Sequence, residues 1–499
     1  MALLVALGAG AVATPANRPG RAMDQGLRAG NQSARKPNVV IILGDDLGYC
    51  DTGLYGCKDI PTPNINAIAR RGALFTNGYS AAPVCSPSRA GLITGRYQQR
   101  FGFEFNAGPL QRAIGDPEMG LPVSEITLAQ VMKQAGYATG MVGKWHLGMR
   151  DKFHPTERGF DEYFGFLFGA NIYVNPARAD VKNAAAGGAE ATPAWPRVAR
   201  NPIYRGKTPV EEEEYLTDAF AREAVAFIER HKAEPFFLYA PFNAPHTPLQ
   251  APKEYLDRYA DIADTKRRTY AAMVSCVDDQ VGRIVAALEK RGMTKETLIA
   301  FSSDNGGPLG SGATNGRWRA GKGTLYEGGV RVCAFANWPG KIAAGTIVKE
   351  PLHIVDWYPT VLKLAGVSLE QKLPLDGRDA WPTIAAGKPT PHPELLLNTT
   401  PANGAIRAGD WKLVVGGNRS EVDGTPTTTK GKGKKGGASD SVELFNLADD
   451  PYEKTNLADR QPEKVKELSA RLEAYAQAAV PPKSAPQSAN FQVPKVWGE

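Results

Sequence analysis

The chain has 499 residues, enough to bury a large core and more than one typical domain needs. Hydrophobic residues make up 42% and charged residues 22%, which is ordinary for a soluble globular protein and argues against a disordered or fibrous chain. A net charge of +7 is a thin excess at this length, and without a nucleic-acid motif or a long basic helix it argues against a nucleic-acid-binding protein.

Residues 1–13 are typical of the apolar core of a secretory signal peptide, with small residues around Ala11-Val12-Ala13 but no basic start. Residues 14–36 are rich in proline, glycine and arginine. We therefore predict a leader over residues 1–35 and a periplasmic or secreted location. The apolar run is too short to span a bilayer, and no later stretch is long enough.

The apolar, β-branched residues 37–43 predict a central parallel strand buried on both faces. Thr62-Pro63 predicts the start of a helix that ends at Gly72. Helix patterns that lead into strand patterns follow at residues 128–135 with 137–142, 216–227 with 235–239, and 270–288 with 297–302. This alternation predicts an α/β fold with a large, doubly wound mixed sheet flanked by helices.

After residue 366 the helical pattern stops. Strand patterns at residues 411–415 and 443–447 and a helix pattern at 462–478 predict a smaller C-terminal α+β subdomain with an antiparallel sheet. The predicted domains are therefore 36–395, which carries the catalytic site, and 396–499. Between the two strands, residues 418–441 are rich in glycine, lysine, threonine and serine and predict a disordered loop.

Residues 171–209 are rich in alanine, glycine and proline and predict a long surface excursion. Such a segment is either a lid that faces the substrate or a disordered insertion, and composition does not distinguish the two.

Five cysteines are present, and their spacing gives no zinc-finger pattern. With Cys85 reserved for chemistry, the remaining four are compatible with two disulfides or none: Cys50, Cys57, Cys276 and Cys333. Cys50 and Cys57 are close enough in sequence to bridge a loop.

Polar residues follow two of the predicted strands directly. Asp45-Asp46 follows the first strand, and Asp304-Asn305 follows the strand at 297–302 after one serine. Loops at the carboxyl ends of strands build the ligand crevice of an open α/β sheet, so these side chains should meet. They are hard oxygen donors, which suit Ca²⁺ or Mg²⁺ rather than Zn²⁺. Taken singly, each group is equally typical of a turn.

Residues 84–96 read V-C-S-P-S-R-A-G-L-I-T-G-R. A lone cysteine is ordinarily a small buried hydrophobe or half of a disulfide. The spacing of Cys85, Pro87, Arg89 and the Thr94-Gly95-Arg96 tail instead resembles the signature of the formylglycine-dependent sulfatases, a family of the alkaline-phosphatase-like superfamily. The resemblance implies that a maturation enzyme converts Cys85 to formylglycine, whose hydrate is the nucleophile, and that the chain hydrolyses sulfate esters.

The resemblance covers roughly residues 36–458 and implies further site residues. Its calcium site maps onto Asp45, Asp46, Asp304, Asn305 and formylglycine 85. Its sulfate pocket maps onto Arg89, Lys144, His146, His246 and Lys322. Lys144 and His146 are two residues apart, so on an extended strand end they should point the same way.

The resemblance also implies roles. The hydrate, activated by Asp304, attacks sulfur; His246, helped by Lys322, protonates the leaving group; and His146 deprotonates the second hydroxyl. Fixed cations and a metal suit the charge that develops during S–O cleavage. Arg89 keeps its proton and can hold oxygens in place, and a histidine suits proton transfer near neutral pH.

The residues around Gly306-Gly307 and Gly328–Arg331 resemble the arylsulfatase and N-acetylgalactosamine-4-sulfatase type, which implies a sulfated sugar as natural substrate and an aryl sulfate as an easy one. Two alternatives stay open. One is a formylglycine-dependent phosphonate or phosphate ester hydrolase of the same superfamily. The other, of a different class, is a non-catalytic protein that binds sulfated glycans.

Overall fold

A ten-stranded mixed sheet forms the centre of the computed structural model, which describes residues 36–106, 113, 115–184, 201–397, 404–417 and 442–483. The strands are β1 Asn38–Gly44, β2 Ala73–Phe75, β3 Gly78–Tyr79, β4 Ala138–Lys144, β5 Glu162–Phe166, β6 Val181–Ala184, β7 Ile203–Arg205, β8 Thr208–Val210, β9 Phe236–Pro241, β10 Leu249–Pro252, β11 Thr297–Ser303, β12 Ala334–Asn337, β13 Thr346–Val348, β14 Leu352–His353, β15 Leu395–Leu396, β16 Gly404–Ala408, β17 Trp411–Val415 and β18 Val442–Asn446. The large sheet has the order β13-β2-β12-β11-β1-β9-β4-β5-β7-β8.

Helices cover both faces of this sheet, as a parallel core requires. They are α1 Pro63–Arg70, α2 Cys85–Thr94, α3 Leu128–Gln134, α4 Leu216–Arg230, α5 Lys253–Leu256, α6 Thr265–Lys290, α7 Glu327–Val330, α8 Trp357–Leu364, α9 Trp381–Ala386 and α10 Pro462–Gln477. The predicted α/β fold with a large mixed sheet and a small antiparallel sheet is confirmed.

Strand β1 lies in the middle of the sheet and pairs in parallel with β11 and β9. Its side chains alternate between two cores. Val39, Ile41 and Leu43 pack into a core shared with α2, α3 and α8, whereas Val40 and Ile42 pack into a core shared with α1, α4 and α6. Because β9 also pairs in parallel with β4, and β4 with β5, these strands end at one edge of the sheet. That edge carries the candidate site.

The predicted surface excursion at residues 171–209 is only partly correct. Residues 185–200 lie outside the described residues, but β7 and β8 extend the large sheet at its edge beyond β5. Strand β6 pairs with β10 in a separate two-stranded sheet. Strands of three or four residues, one containing Pro209, are too short to leave an alternating pattern in the sequence. Helix α9 was likewise not predicted.

The small sheet has the antiparallel order β15-β16-β17-β18. Its residues Ile406, Leu413 and Leu444 pack with Leu468 and Leu472 of α10 into the same core as β1. The predicted leader 1–35 and loop 418–441 lie outside the described residues, and the boundary between residues 395 and 396 stays a prediction.

All five cysteines lie in the described residues and are unbridged, so of the two predicted possibilities the structure has the one without disulfides. Among the helices described, none combines the length and the apolar character that crossing a membrane requires.

Candidate active site

Two parallel strands deliver four oxygen-bearing side chains to one point. Gly44 of β1 pairs with Ser303 of β11, so the residues that follow each strand emerge side by side. The Asp304 amide donates to the Gly44 carbonyl at 3.1 Å, and the Asp46 amide donates to Asp304 Oδ1 at 3.2 Å. Asp46 has a left-handed backbone (φ 64°), which turns the chain sharply after the strand. Asp45, Asp46, Asp304 and Asn305 are all buried.

Cys85 is the first residue of α2 and lies directly against these carboxylates. Its Sγ is 3.4 Å from Asp45 Oδ1 and 3.9 Å from Asp46 Oδ1. Every residue of α2 is buried, so the helix is held on all sides. The position of Cys85 is therefore set by the core and not by a mobile loop.

Arg89 lies one turn further along α2 and binds three elements of the site. Its Nε donates to Asp304 Oδ2 at 3.0 Å, one Nη donates to the Lys144 carbonyl at 2.9 Å, and the other Nη lies 3.5 Å from Asp45 Oδ2. The side chain is fully buried. The fixed geometry of the guanidinium thus holds β1, β4 and β11 in register at their ends.

Two lysines complete a balanced set of charges. Lys144 Nζ lies 2.6 Å from Asp45 Oδ2, and Lys322 Nζ lies 2.9 Å from Asp46 Oδ2. Burial alone would raise the pKa of Asp46, but the Lys322 ammonium and its other neighbours outweigh burial and hold that pKa below its usual range. Burial, reinforced by the Asp45 carboxylate, raises the pKa of Asp304 to about 6.

His246 presents one ring nitrogen to the carboxylates. Its Nδ1 lies 2.6 Å from the Thr247 carbonyl, which can only accept, so Nδ1 carries a proton. Its Nε2 lies 3.6 Å from Asp46 Oδ2. The ring is therefore oriented with Nε2, the nitrogen that the Thr247 contact leaves without a proton in the neutral ring, toward Asp46.

His146 reaches the site differently from the sequence prediction. Strand β4 ends at Lys144, and His146 has a left-handed backbone (φ 57°), so the two side chains do not alternate on an extended strand. The ring packs at 6.1 Å from the Phe168 ring. Burial, with Lys144 next, lowers the pKa of His146 well below its usual value, so the ring is neutral in this setting.

The donor set fits a hard cation. Ligand atoms of Asp45, Asp46, Cys85 and His246 all lie within 4.8 Å of one another. Asn305 Nδ2 donates to Asp46 Oδ1 at 2.8 Å, while Asn305 Oδ1 is buried and makes no hydrogen bond in the structure. A buried acceptor without a donor is costly, and a cation beside the carboxylates would satisfy it. Carboxylate and amide oxygens favour Ca²⁺ or Mg²⁺ over softer metals.

All ten residues predicted for the site lie in this one buried cluster. The other histidines lie elsewhere. His353 Nε2 is 3.2 Å from the Leu396 carbonyl of the small sheet, and His392 Nε2 is 2.7 Å from Asp356 Oδ1.

Two tyrosines that support the site were missed from the sequence. The Tyr270 hydroxyl lies 3.0 Å from the Asp46 carbonyl and 2.8 Å from Asp51 Oδ2, yet the helical spacing of α6 identified Tyr270 only as a core residue. The Tyr173 hydroxyl lies 2.6 Å from the Asn243 carbonyl and 2.7 Å from the His246 carbonyl. Its segment carries no periodic pattern, so no local signal could have identified it.

Comparison with known proteins gives consistent matches. The sequence model of the family described as Sulfatase matches residues 37–367. The chain is 34% identical over 523 residues to arylsulfatase J of Mus musculus, with 95% of this chain and 82% of the relative covered. It is 39% identical over 371 residues to N-acetylgalactosamine-6-sulfatase of Rattus norvegicus, with 70% of this chain and 66% of the relative covered. The crystal structure of Ps i-CgsB in complex with k-i-k-neocarrahexaose matches with a TM-score of 0.78 and 34% identity, over 91% of this chain and 96% of that one.

Proposed function

This chain belongs to the sulfatase family and is a sulfuric ester hydrolase, and on that premise we propose that it removes sulfate from a sulfated sugar by means of formylglycine at position 85 and a calcium ion. The observation that carries the proposal is the contact between Cys85 and the carboxylates: its Sγ lies 3.4 Å from Asp45 Oδ1 at the buried start of α2. A formylglycine hydrate there supplies a nucleophilic hydroxyl.

The proposed metal ligands are Asp45, Asp46, Asp304, Asn305 and residue 85. Support comes from the buried Asn305 Oδ1, which has no hydrogen-bond partner among the described residues, and from the three buried carboxylates beside it. When bound, Ca²⁺ adds positive charge beside the sulfate oxygens. Ca²⁺ is favoured over Mg²⁺ by the resemblance of the site, whereas the donor chemistry suits both.

The proposed sulfate pocket consists of Arg89, Lys144 and Lys322 with the two histidines. The three cations balance three carboxylates in the buried cluster, so the protein alone has no surplus positive charge for an anionic ester. A divalent cation held by the carboxylates would leave the site with a net positive charge, and Lys144 and Lys322 would then be available to an anionic ester. In a buried site such interactions are stronger than in water.

His246 is the proposed proton donor to the leaving oxygen, and His146 is the proposed base in the second half of the reaction. The Thr247 carbonyl holds the His246 Nδ1 proton, which leaves Nε2 to face the cluster. The neutral state of the buried His146 ring suits a group that must first accept a proton.

A sulfated carbohydrate is the proposed substrate class, and a formylglycine-generating enzyme is the proposed maturation partner. Similarity to an N-acetylgalactosamine-6-sulfatase and to a structure bound to k-i-k-neocarrahexaose supports a sugar. The sequence around Gly328–Arg331 resembles N-acetylgalactosamine-4-sulfatases instead. We therefore propose the class of substrate and leave the sulfated position to the experiment.

The test is sulfate release by matured protein from a panel of defined sulfated mono-, di- and polysaccharides. An aryl sulfate is the positive control and Cys85→Ala the negative one. Release from one sugar position that is absent in Cys85→Ala supports the proposal. Release from the aryl sulfate alone contradicts a sugar as the substrate but still supports hydrolysis of sulfate esters through residue 85.

The two alternatives have their own discriminating results. Faster cleavage of a phosphonate or phosphate ester than of a sulfate ester with the same leaving group would favour the phosphonate or phosphate ester hydrolase. Tight binding of a sulfated glycan with no release, by protein whose formylglycine is verified by peptide mass spectrometry, would favour the glycan-binding reading.

We further propose that residues 1–35 direct export and are removed, that residues 36–395 form the catalytic domain, and that residues 396–499 form the C-terminal subdomain. The leader composition and the separate small sheet support this division. Cell fractionation and the N-terminal sequence of the mature protein test the leader.

A further inference from the structure

We propose that Lys412, on strand β17 of the small sheet, is a positioning residue for Lys322, acting through Glu327 on the loop that carries Lys322. The inference rests on the proposed function, in which Lys322 belongs to the sulfate pocket. It extends the site to a residue that contacts none of the proposed ligands.

A buried charged cluster connects the small sheet to the site loop. Lys412 Nζ lies 2.8 Å from Glu327 Oε1 and 2.8 Å from Glu453 Oε1, and none of these side chains is exposed. Glu453 Oε2 in turn accepts the Glu327 backbone amide at 2.7 Å. Glu327 Oε2 accepts from the Tyr79 hydroxyl at 2.7 Å and from Arg331 at 3.0 Å. Glu327 is thus held by four side chains, those of Tyr79, Arg331, Lys412 and Glu453.

Glu327 stands at the base of the loop formed by residues 319–328. The Gly328 amide donates to the Arg319 carbonyl at 2.8 Å and closes that base. At the far side, the Lys322 amide donates to the Gly307 carbonyl at 3.3 Å and the Gly323 amide to the Pro83 carbonyl at 2.9 Å. The loop therefore spans from the cluster around Lys412 to the segments that carry Asp304 and Cys85.

Lys322 lies between two glycines whose backbone is held by its surroundings. Gly323 has a left-handed backbone (φ 85°), and a Cβ at Gly321 would lie 2.5 Å from the Gly307 carbonyl oxygen. The position of the ammonium beside Asp46 consequently depends both on the contacts with Gly307 and Pro83 and on how the base of the loop is held. Glu327 supplies the buried end of that support, and Lys412 is the cation that both Glu327 and Glu453 contact.

Stability alone does not explain the buried charges around Lys412. A buried ion triad is often no better for stability than apolar residues of the same volume. Glu453 moreover has a left-handed backbone (φ 56°), which is unfavourable for a glutamate and persists only where surrounding contacts impose it. We attribute the strained Glu453 and the buried charges around this loop to a requirement that the loop keep one geometry.

The first test compares Lys412→Met with His392→Gln by steady-state kinetics on an aryl sulfate and by thermal unfolding. His392→Gln is the matched control because it removes a buried pair, His392 Nε2 to Asp356 Oδ1 at 2.7 Å, beside the same small sheet without touching the loop. Lys412→Met should lower kcat/KM by about ten- to a hundred-fold, the scale expected for displacement of a group at a reacting site. His392→Gln should lower thermal stability while retaining kcat/KM to within about three-fold.

The second test is a double-mutant cycle with Lys322→Ala. If Lys412 acts through Lys322, the double variant has the same kcat/KM as Lys322→Ala, while the losses of thermal stability add. Multiplicative losses in kcat/KM, or equal losses in Lys412→Met and His392→Gln, overturn the positioning role. Wild-type kcat/KM in Lys322→Ala would instead overturn the pocket role of Lys322 in the proposed function.

Lys412→Arg keeps the test decisive if Lys412→Met does not fold. It retains a cation for both glutamates, but the planar guanidinium does not reproduce the point contact of an ammonium. We expect a smaller loss of kcat/KM that again disappears in the Lys322→Ala background. Full activity of Lys412→Arg combined with a shift of Glu327 in its crystal structure would contradict the proposal.

Discussion

Lys144 Nζ lies 2.6 Å from Asp45 Oδ2, and neither side chain has any exposed surface. The same relationship recurs between Lys322 and Asp46, and between Arg89 and Asp304. Each carboxylate proposed to bind metal thus already has a cation of its own. The cluster is neutral as a whole when the histidines are neutral, which explains how so many charges are tolerated in the core.

Removing one of these cations should destabilise the fold, because the carboxylate that it neutralises stays buried. Lys144→Met leaves the buried Asp45 carboxylate with only the longer contact to Arg89 at 3.5 Å, so we expect the free energy of unfolding to fall by about 3 kcal/mol in metal-free protein. Chemical denaturation in a chelating buffer measures this. Lys152→Met, which breaks the exposed pair with Glu118, should leave the free energy of unfolding nearly unchanged. Similar losses in both variants would contradict the argument.

Calcium should stabilise the folded protein, because the unfolded chain does not assemble the donor set. At a concentration a hundred-fold above Kd, binding adds about 2.7 kcal/mol, which a thermal melt with and without chelator detects. Asn305→Ala removes the unpartnered Oδ1 and should reduce this stabilisation. Asn64→Ala, which loses contacts to Asp278 on α6 instead, should retain it in full. A calcium response that Asn305→Ala leaves unchanged would exclude Asn305 as a ligand.

Glu104 should make stability depend on pH. The side chain is fully buried, neither carboxyl oxygen has a hydrogen-bond partner among the described residues, and burial raises its pKa from 4.5 to about 8. The native state therefore retains a proton that the unfolded state releases between pH 4.5 and 8, so stability falls as pH rises through that window.

Glu104→Gln should abolish this dependence, since the amide does not ionise. We expect the free energy of unfolding of the wild type to fall, relative to that of the variant, by up to about 1.4 kcal/mol per pH unit within this window. Above the window the difference should stay constant. Urea unfolding at several pH values measures the difference. Glu370→Gln, at an exposed position, should follow the wild type. A slope of opposite sign would show that Glu104 is ionised in the fold.

Gly306 should tolerate no side chain, because a Cβ there would lie 1.9 Å from the Gly328 carbonyl oxygen. The amide of Gly306 also donates to the Gly329 carbonyl at 2.9 Å, so the Asp304 and Lys322 segments are in direct backbone contact. Gly306→Ala should lower both melting temperature and kcat/KM. Gly310→Ala, in the same segment with open space around its Cβ, should leave both unchanged. Equal behaviour of the two variants would refute the close approach.

Tyr173→Phe should weaken the support of His246. The variant loses the single hydroxyl proton that the Asn243 and His246 carbonyls share, which contributes about 1 kcal/mol to stability in total. Because His246 is the proposed acid, kcat/KM should fall more for sulfate esters with poor leaving groups than for activated aryl sulfates. Tyr137→Phe is the control, since the Tyr137 hydroxyl has no hydrogen-bond partner. An equal loss on both kinds of substrate would argue against an effect through the acid.

The sequence predicts the parts of this fold that depend on long periodic segments. Strand β1 was predicted because Val39 to Leu43 are continuously apolar, and α6 because its apolar residues recur at helical spacing. The joint location of Asp45 and Asp304 followed from the rule that parallel strands end at one edge.

What the sequence does not predict depends on tertiary contacts. His146 turns out of the extended backbone that its spacing from Lys144 suggested, because its left-handed conformation is set by neighbours such as Ser86, whose hydroxyl donates to the His146 carbonyl. Glu327 and Lys412 lie far apart in the chain, and no sequence motif contains both. Charged residues are ordinarily exposed, so nothing local marks this pair as buried.

Cys85 is 1% exposed in the folded protein, and every residue of α2 is buried with it. During translation the segment around Cys85 leaves the ribosome before strands β17 and β18 exist. The proposed conversion of Cys85 therefore requires an enzyme that reaches the side chain before the core packs around α2. Under the proposed function, folding and maturation thus compete for the same side chain.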